Sequence, residues 1–193
     1  MRAAVLAVSV AAVCAWTVAQ QSPRVRNEMT EAPVQLSSST RIAPANERGE
    51  PLVIDGTVLG ADGKPAAGVT VYAYHTDATG HYRNDNMEGN DPAFRPRLRG
   101  WAKTDSQGHF QWVTIRPAPY PNRNVPAHIH VTAWGAGYPV QWSEVQFAGD
   151  PLLGQQHFTD NTADYLHIIP LERKGNGWHG KLELRMSRDT NFR

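Results

Sequence analysis

The chain has 193 residues, a formal net charge of +1 at pH 7 and one cysteine. A near-neutral charge without a long basic run excludes a nucleic-acid-binding protein of the usual basic kind. Cys14 lies in the N-terminal apolar segment, so we expect a mature chain without disulfides, thiol nucleophiles or thiolate metal ligands.

Residues 1–19 have the features of a secretory signal peptide. Arg2 provides a positive start, residues 3–15 are almost entirely apolar, and residues 17–19 offer small side chains for cleavage. The apolar run is short for a membrane span. We therefore expect export to the periplasm or the exterior and no membrane contact after cleavage, with an uncleaved N-terminal anchor as the alternative.

Two further segments are polar and lack a strand pattern. Residues 20–50 predict an N-terminal arm or linker that is available for contacts with a second subunit, so a homo-oligomer is one expectation. Residues 83–100 are rich in Asn, Asp, Pro and Gly, and they predict a functional loop rather than a core element.

Residues 51–193 predict one all-β domain. Apolar residues recur at every second position in residues 52–58 and 69–73, and residues 62–65 have the composition of a hairpin turn. Further strands are predicted at residues 109–115, 128–134, 143–147, 165–169 and 181–186, with turns at residues 105–108 and 175–177. No segment has a sustained helical period. Short strands between Gly, Pro and Asp turns indicate a β-sandwich or a β-barrel.

His128 and His130 lie one residue apart in a predicted strand. Successive side chains of a strand point to opposite faces, so these two imidazoles lie on one face, about 7 Å apart along the strand. Neighbouring imidazoles on one face can converge on a single metal ion. The His-x-His pair therefore predicts half of a metal site.

Two tyrosines are candidates for the other half. Tyr82 follows a turn at Gly80, and Tyr120 lies between two prolines that fix the backbone around it. Zinc sites seldom use tyrosine, and calcium prefers carboxylates and carbonyls. Phenolate oxygen suits a highly charged ion such as ferric iron, so the set predicts an Fe(III) site.

The order of several motifs resembles the intradiol ring-cleaving catechol dioxygenases. The motifs include Asp-Ala-Thr-Gly-His-Tyr at residues 77–82, Arg-Pro-Ala-Pro-Tyr-Pro at 116–121, Pro-Ala-His-Ile-His at 126–130 and Ala-Gly-Asp-Pro at 148–151. They follow a Gly-rich opening at residues 56–68 and are joined by Asp-Pro-Ala-Phe at 91–94 and Thr-Asp-Ser-Gln-Gly at 104–108. The resemblance covers most of the predicted domain.

The resemblance implies a β-sandwich core with long active-site loops and one non-haem Fe(III) per chain. Tyr82 and His128 would be equatorial ligands, and Tyr120 and His130 axial ligands. The implied substrates are a small catecholic or phenolic ring and O2, with the ring opened between its two hydroxyl carbons to a muconate-type diacid. Tyr120 would leave the metal when the substrate binds and would act as a base.

The chain departs from this family at two positions near the site. Val125 stands where the family has an arginine that stabilises negative charge, and Arg123 or Arg116 is the candidate replacement. Glu144 stands where the family has a glutamine. We expect Glu144 to pair with Arg123 or to act as an acid or base, so Tyr120, Arg123 and Glu144 are the predicted catalytic residues.

Two alternatives to a working enzyme remain. One is an exported β-sandwich module that binds a surface polymer or a partner, and the other is an iron-binding family member without turnover. The other histidines are predicted to be surface or supporting groups: His75, His81, His109, His157, His167 and His179. The aromatic residues between residues 134 and 142 predict core packing, with the lining of an aromatic pocket as the alternative.

Overall fold

The computed structural model describes residues 23–82, 94–154 and 165–188. The chain divides into two compact units, one of residues 1–32 with 87–94 and one of residues 33–86 with 95–193. The first unit contains helix α1 (Pro23–Thr30). The signal peptide predicted for residues 1–19 lies outside the described residues. In the part of the chain that is described, no helix is long and apolar enough to cross a membrane.

The second unit contains ten described strands arranged in two sheets. The strands are β1 (Ser39–Arg41), β2 (Pro51–Leu59), β3 (Thr70–His75), β4 (Leu98–Lys103), β5 (His109–Ile115), β6 (His128–Gly135), β7 (Tyr138–Phe147), β8 (Leu166–Ile169), β9 (Leu171–Lys174) and β10 (Gly177–Arg185). The first sheet has the strand order β1-β5-β2-β10-β9, and the second has the order β4-β3-β6-β7-β8. The predicted all-β sandwich is confirmed.

The core lies between the inward faces of the two sheets, and strand alternation creates it. In β2, Leu52 and Ile54 are fully buried whereas the residues between and beside them are more exposed, and Trp112 of β5 is fully buried beside them. In β6, Ile129 and Val131 contribute to the same core. Each large apolar side chain buried in this way contributes about 1.5–3 kcal/mol to folding.

The opposite face of the second sheet carries polar and aromatic side chains that are also buried. His128, Glu144 and Gln146 belong to this face, as do Tyr72 and Tyr74 of β3. Because buried polar groups need hydrogen-bond partners or a bound ligand, this face is where the fold positions a site.

The structure corrects two predicted connections. Residues 62–65 do form a turn, closed by a single bridge between Leu59 and Pro65, but they do not join a hairpin, because β2 and β3 lie in different sheets. Residues 98–100 of the predicted loop begin β4, since Leu98, Gly100 and Ala102 alternate into the core. Residues 83–93 of that loop lie outside the described residues.

The segment expected to be an irregular arm contains regular structure as well. Within residues 20–50 the structure has both α1 and β1. β1 pairs in parallel with β5, with Thr40 opposite Trp112. The short strand thus extends the first sheet at its edge.

Candidate metal centre

The two histidines of the predicted pair converge on one point. β6 runs antiparallel to β3 and β7, and the Nε2 atoms of His128 and His130 are 3.1 Å apart. The entry into β6 is fixed by Asp150 of the Ala-Gly-Asp-Pro motif, whose carboxylate accepts the backbone N–H of Ala127 at 3.1 Å. The predicted single-face arrangement of the imidazoles is therefore present.

Tyr82 reaches the same point through a tight turn after β3. Asp77 organises the turn, because its carboxylate accepts the backbone N–H groups of Thr79 at 2.8 Å and His81 at 3.2 Å. Gly80 has a φ of +81°, a left-handed conformation that glycine adopts without steric cost. The chain reverses sharply here and directs Tyr82 toward the histidines.

Tyr120 comes from the loop after β5, which is bound to the Tyr82 turn. The hydroxyl of Thr76 donates to the carbonyl of Ala118 at 2.7 Å, and the N–H of Ala118 donates to the carbonyl of Asp77 at 3.2 Å. These bonds hold the loops after β3 and β5 together. As a result the phenol oxygens of Tyr82 and Tyr120 lie 2.5 Å apart.

The four predicted ligands form one compact cluster of donor atoms. The Tyr120 oxygen is 3.1 Å from Nε2 of His128 and 3.3 Å from Nε2 of His130, and the Tyr82 oxygen is 3.1 Å from Nε2 of His130. Nδ1 of His128 donates to the carbonyl of Pro126 at 2.7 Å. This bond fixes the tautomer and leaves the lone pair of Nε2 directed at the cluster.

The cluster fits a metal ion in both spacing and chemistry. Ligand atoms at about 2.0–2.2 Å from one ion lie about 3 Å from their neighbours around it, and the distances between these donors run from 2.5 to 3.3 Å. Two phenol oxygens and two imidazole nitrogens suit ferric iron better than zinc or calcium. The residues present can therefore hold the iron that the resemblance implies.

Glu144 lies at this cluster, as the sequence led us to expect. It stands opposite His130 in β7, its side chain is buried with 7% of its surface exposed, and one carboxylate oxygen is within 4.8 Å of ring nitrogens of both histidines. Nε2 of Gln146 donates to this carboxylate at 2.8 Å. Glu144 thus adds a carboxylate to the site formed by the two histidines and the two tyrosines.

The two arginine candidates lie at different places. The guanidinium of Arg123 is 5.8 Å from the ring centre of Tyr120, in the exposed turn that follows it. Arg116 instead faces Glu50 and the ring of Trp178, so it is not the arginine of the site. The expected ion pair between Glu144 and Arg123 is absent from the described residues, because Arg123 lies against Tyr120 whereas Glu144 is buried on β7.

Several supporting aromatic contacts were not predicted. The ring of Tyr74 stacks on His130 with centres 4.6 Å apart and planes at 16°. The ring of Trp142 lies 5.9 Å from His130, and 37% of Trp142 is exposed, so the prediction of core packing is wrong for this residue. Strand alternation alone places Tyr74 on the same face as Tyr72, but only the strand register shows that it meets His130.

His75 supports the site from the core side of β3. Its ring donates from Nδ1 to the carbonyl of Thr76 and accepts at Nε2 from the hydroxyl of Thr114, both at 2.7 Å. Complete burial lowers the pKa of His75 from 6.5 to about 4, because a charged imidazolium would lose its hydration there. His75 is therefore a neutral residue whose hydrogen bonds link β3 to β5, close to the turn that carries Tyr82.

Comparisons with known proteins find relatives of this chain. Residues 22–183 match the Dioxygenase_C family model, whose description is "Dioxygenase". The chain is 31% identical over 154 residues to catechol 1,2-dioxygenase 1 of Acinetobacter lwoffii, with 72% of this chain and 48% of that protein covered. It is 30% identical over 124 residues to the protocatechuate 3,4-dioxygenase beta chain of Burkholderia cepacia, with 60% and 52% covered. The chain thus spans about half the length of these curated relatives.

One solved structure is close to this chain in length. It is the dioxygenase domain of a dioxygenase carbohydrate-binding protein fusion from Streptomyces sp. SirexAA-E, at 27% identity and a TM-score of 0.63. The match covers 81% of this chain and 92% of that domain. The family model matches most of the chain, and the relatives described above are also dioxygenases. The chain therefore belongs to the intradiol dioxygenase family.

Proposed function

We propose that this protein is a non-haem Fe(III) dioxygenase that opens a catechol-type ring between its two hydroxyl carbons. O2 is the co-substrate, both of its atoms enter the product, and the product is a muconate-type diacid. The observation that carries the proposal is the convergence of two phenol oxygens and two imidazole nitrogens at 2.5–3.3 Å. Relatives named as catechol and protocatechuate dioxygenases support the substrate class.

One iron would be held by Tyr82, Tyr120, His128 and His130. When bound, the ion supplies Lewis-acid activation and a template for the two hydroxyl oxygens of the substrate. His128 is oriented by the carbonyl of Pro126, and the loops that carry the tyrosines are bound to each other. The protein thus holds the donors in place before any substrate arrives.

Tyr120 is the positioned proton acceptor. The Tyr120 oxygen lies at the centre of the cluster on a loop rather than in a strand, so it is placed to take one hydroxyl proton from the substrate. The Glu144 carboxylate, held by Gln146, lines the site beside the two histidines. The positive charge of Arg123 beside the Tyr120 ring favours the negative charge that this transfer leaves on the substrate.

The experiment loads the iron-free protein with Fe(III) and records its visible absorption, oxygen uptake and diacid formation with catechol. We expect a tyrosinate-to-iron charge-transfer band, which Tyr82→Phe and Tyr120→Phe each reduce. Tyr138→Phe is the matched control, because this tyrosine lies on β7 against the core. A colourless protein that does not respond to either substitution would refute the metal site. Colour without turnover would instead support an iron-binding family member that is inactive.

We also propose that the protein is exported. The support is the pattern of residues 1–19, with a positive start, an apolar run and small residues before Gln20. The test is the N-terminal sequence of the protein recovered outside the cytoplasm. An intact Met1 on all of the protein would contradict cleavage.

A further inference from the structure

A row of side chains on β7 continues the site away from the tyrosines. Trp142, Glu144 and Gln146 are alternate residues of one strand, so they share the face that carries the two histidines. Gln146 stands opposite His128 and Glu144 stands opposite His130. Any substrate bound at the donor cluster therefore has Glu144 and then Trp142 along one side.

The carboxylate of Glu144 has no cationic partner among the described residues. Its hydrogen bond comes from Gln146, which is neutral, and Arg123 lies against the Tyr120 ring instead. Burial lowers the local dielectric, so the attraction between this carboxylate and a nearby cation is stronger than it would be in water. A positive group on the substrate can therefore pair with it.

Trp142 lies two residues before Glu144 on the same face of the strand and forms an aromatic pair with Tyr165. Their ring centres are 4.9 Å apart with planes at 53°, and the carbonyl of Tyr165 accepts the backbone N–H of Glu144 at 2.8 Å. Trp142 also contacts the ring of His130, yet 37% of it is exposed. An exposed tryptophan that adjoins a metal-binding histidine is accessible to a substrate that extends out of the site.

A carboxylate with an aromatic pair is the usual chemistry of an ammonium site. The π face of tryptophan attracts cations most strongly among side chains, and the carboxylate adds a direct charge pair. We propose that Glu144, Trp142 and Tyr165 form a subsite for an ammonium group on an alkyl arm of the catechol substrate. This inference rests on the proposed function and names the substrate class that the same site prefers.

Arg123 offers a competing site for a substrate arm that carries a negative charge. Its guanidinium lies on the Tyr120 side and is exposed, so a carboxylate arm directed that way would pair with it. Glu144 is buried and lies within 4.8 Å of the histidine ring nitrogens, and burial strengthens its field. The arrangement therefore favours a cationic arm over an anionic one.

The experiment measures binding without turnover, in the Fe(III)-loaded protein under anaerobic conditions. Three catechols are titrated by visible absorption and calorimetry, with an aminoethyl, a propyl or a carboxymethyl arm para to one hydroxyl. We expect the aminoethyl catechol to bind about tenfold more tightly than the propyl catechol, and the carboxymethyl catechol to bind most weakly.

Two variants and one control assign this preference to the subsite. Glu144→Gln should bring the affinity ratio of aminoethyl to propyl catechol close to one, and Trp142→Leu should lower it about threefold. Glu183→Gln makes the same change at an exposed glutamate of β10 and should leave the ratio unchanged. If Glu144→Gln does not fold, the Trp142 variant still tests the subsite.

The outcomes separate this inference from the proposed function. Equal binding of the three catechols, tightest binding of the carboxymethyl catechol, or a uniform shift for all three in Glu144→Gln would overturn the ammonium subsite alone. A loaded protein that binds none of the catechols would overturn the proposed function itself. A preference for the ammonium arm that disappears in both variants would support the inference.

Discussion

Acidification should destabilise the iron-free protein through His75. The folded chain keeps this ring neutral, with a pKa of about 4 in place of 6.5, because it is fully buried. Between these two values the unfolded chain binds a proton that the folded chain does not, so the free energy of unfolding falls as the pH falls. The stability is complete above about pH 6.5 and is lost progressively toward about pH 4.

The size of the effect follows from the shift. One unit of pKa difference corresponds to about 1.4 kcal/mol, so moving from about pH 7.5 to about pH 5 should remove about 2 kcal/mol through this one ring. A domain of this size has a total stability of about 5–15 kcal/mol. The loss is therefore large enough to measure by urea unfolding at a series of pH values.

A substitution isolates His75 from the other titrating groups. His75→Gln keeps a donor for the carbonyl of Thr76 and an acceptor for the hydroxyl of Thr114, but it does not titrate. Its free energy of unfolding should fall about 2 kcal/mol less over this pH interval than that of the wild type. Equal losses in His75→Gln and wild type would refute the reasoning.

Three further predictions concern the core, the turn and the metal. Trp112→Ala should cost about 3–5 kcal/mol of unfolding free energy in urea, since the ring is completely buried between the sheets. Gly80→Ala should weaken iron binding in a calorimetric titration, because the added Cβ would overlap the carbonyl of Pro119 and displace both tyrosine loops. Gly137→Ala is the control: this glycine also has a φ near +80°, but no atom lies within 4 Å of the added Cβ. It should therefore lower stability without changing the iron affinity. Fe(III) at about a hundred times its Kd should stabilise the fold by about 2.7 kcal/mol, and a chelator should reverse this shift in Tm.

Local periodicity predicted the strands well, because burial of one face leaves a two-residue pattern in the sequence. The predicted strand at residues 109–115 coincides with β5 (His109–Ile115). β9 (Leu171–Lys174) was missed because its last three residues are exposed and show no alternation. The pairing of β2 with β10 and β5 was also beyond sequence reasoning, since a turn at residues 62–65 does not show which sheet the next strand joins.

The site was predictable to different extents for different residues. His128 and His130 followed from strand alternation, whereas Tyr82 and Tyr120 needed the order of the surrounding motifs. Their convergence depends on contacts between the loops after β3 and β5, which no local pattern encodes. The exposure of Trp142 was likewise unpredictable, because it depends on what covers the outer face of the second sheet.

The four donor residues come from distant parts of the chain, and this determines when the site can form during folding. Tyr82 and His130 are 48 residues apart, and the two tyrosines leave strands of different sheets. A site that needs all four donors forms only after the two sheets have packed and long-range loop closure is complete. Capture of the proposed iron would then be a late event in folding rather than a nucleus for it. The appearance of colour in a refolding reaction should report the arrival of native chains, and misfolded chains should stay colourless in excess iron.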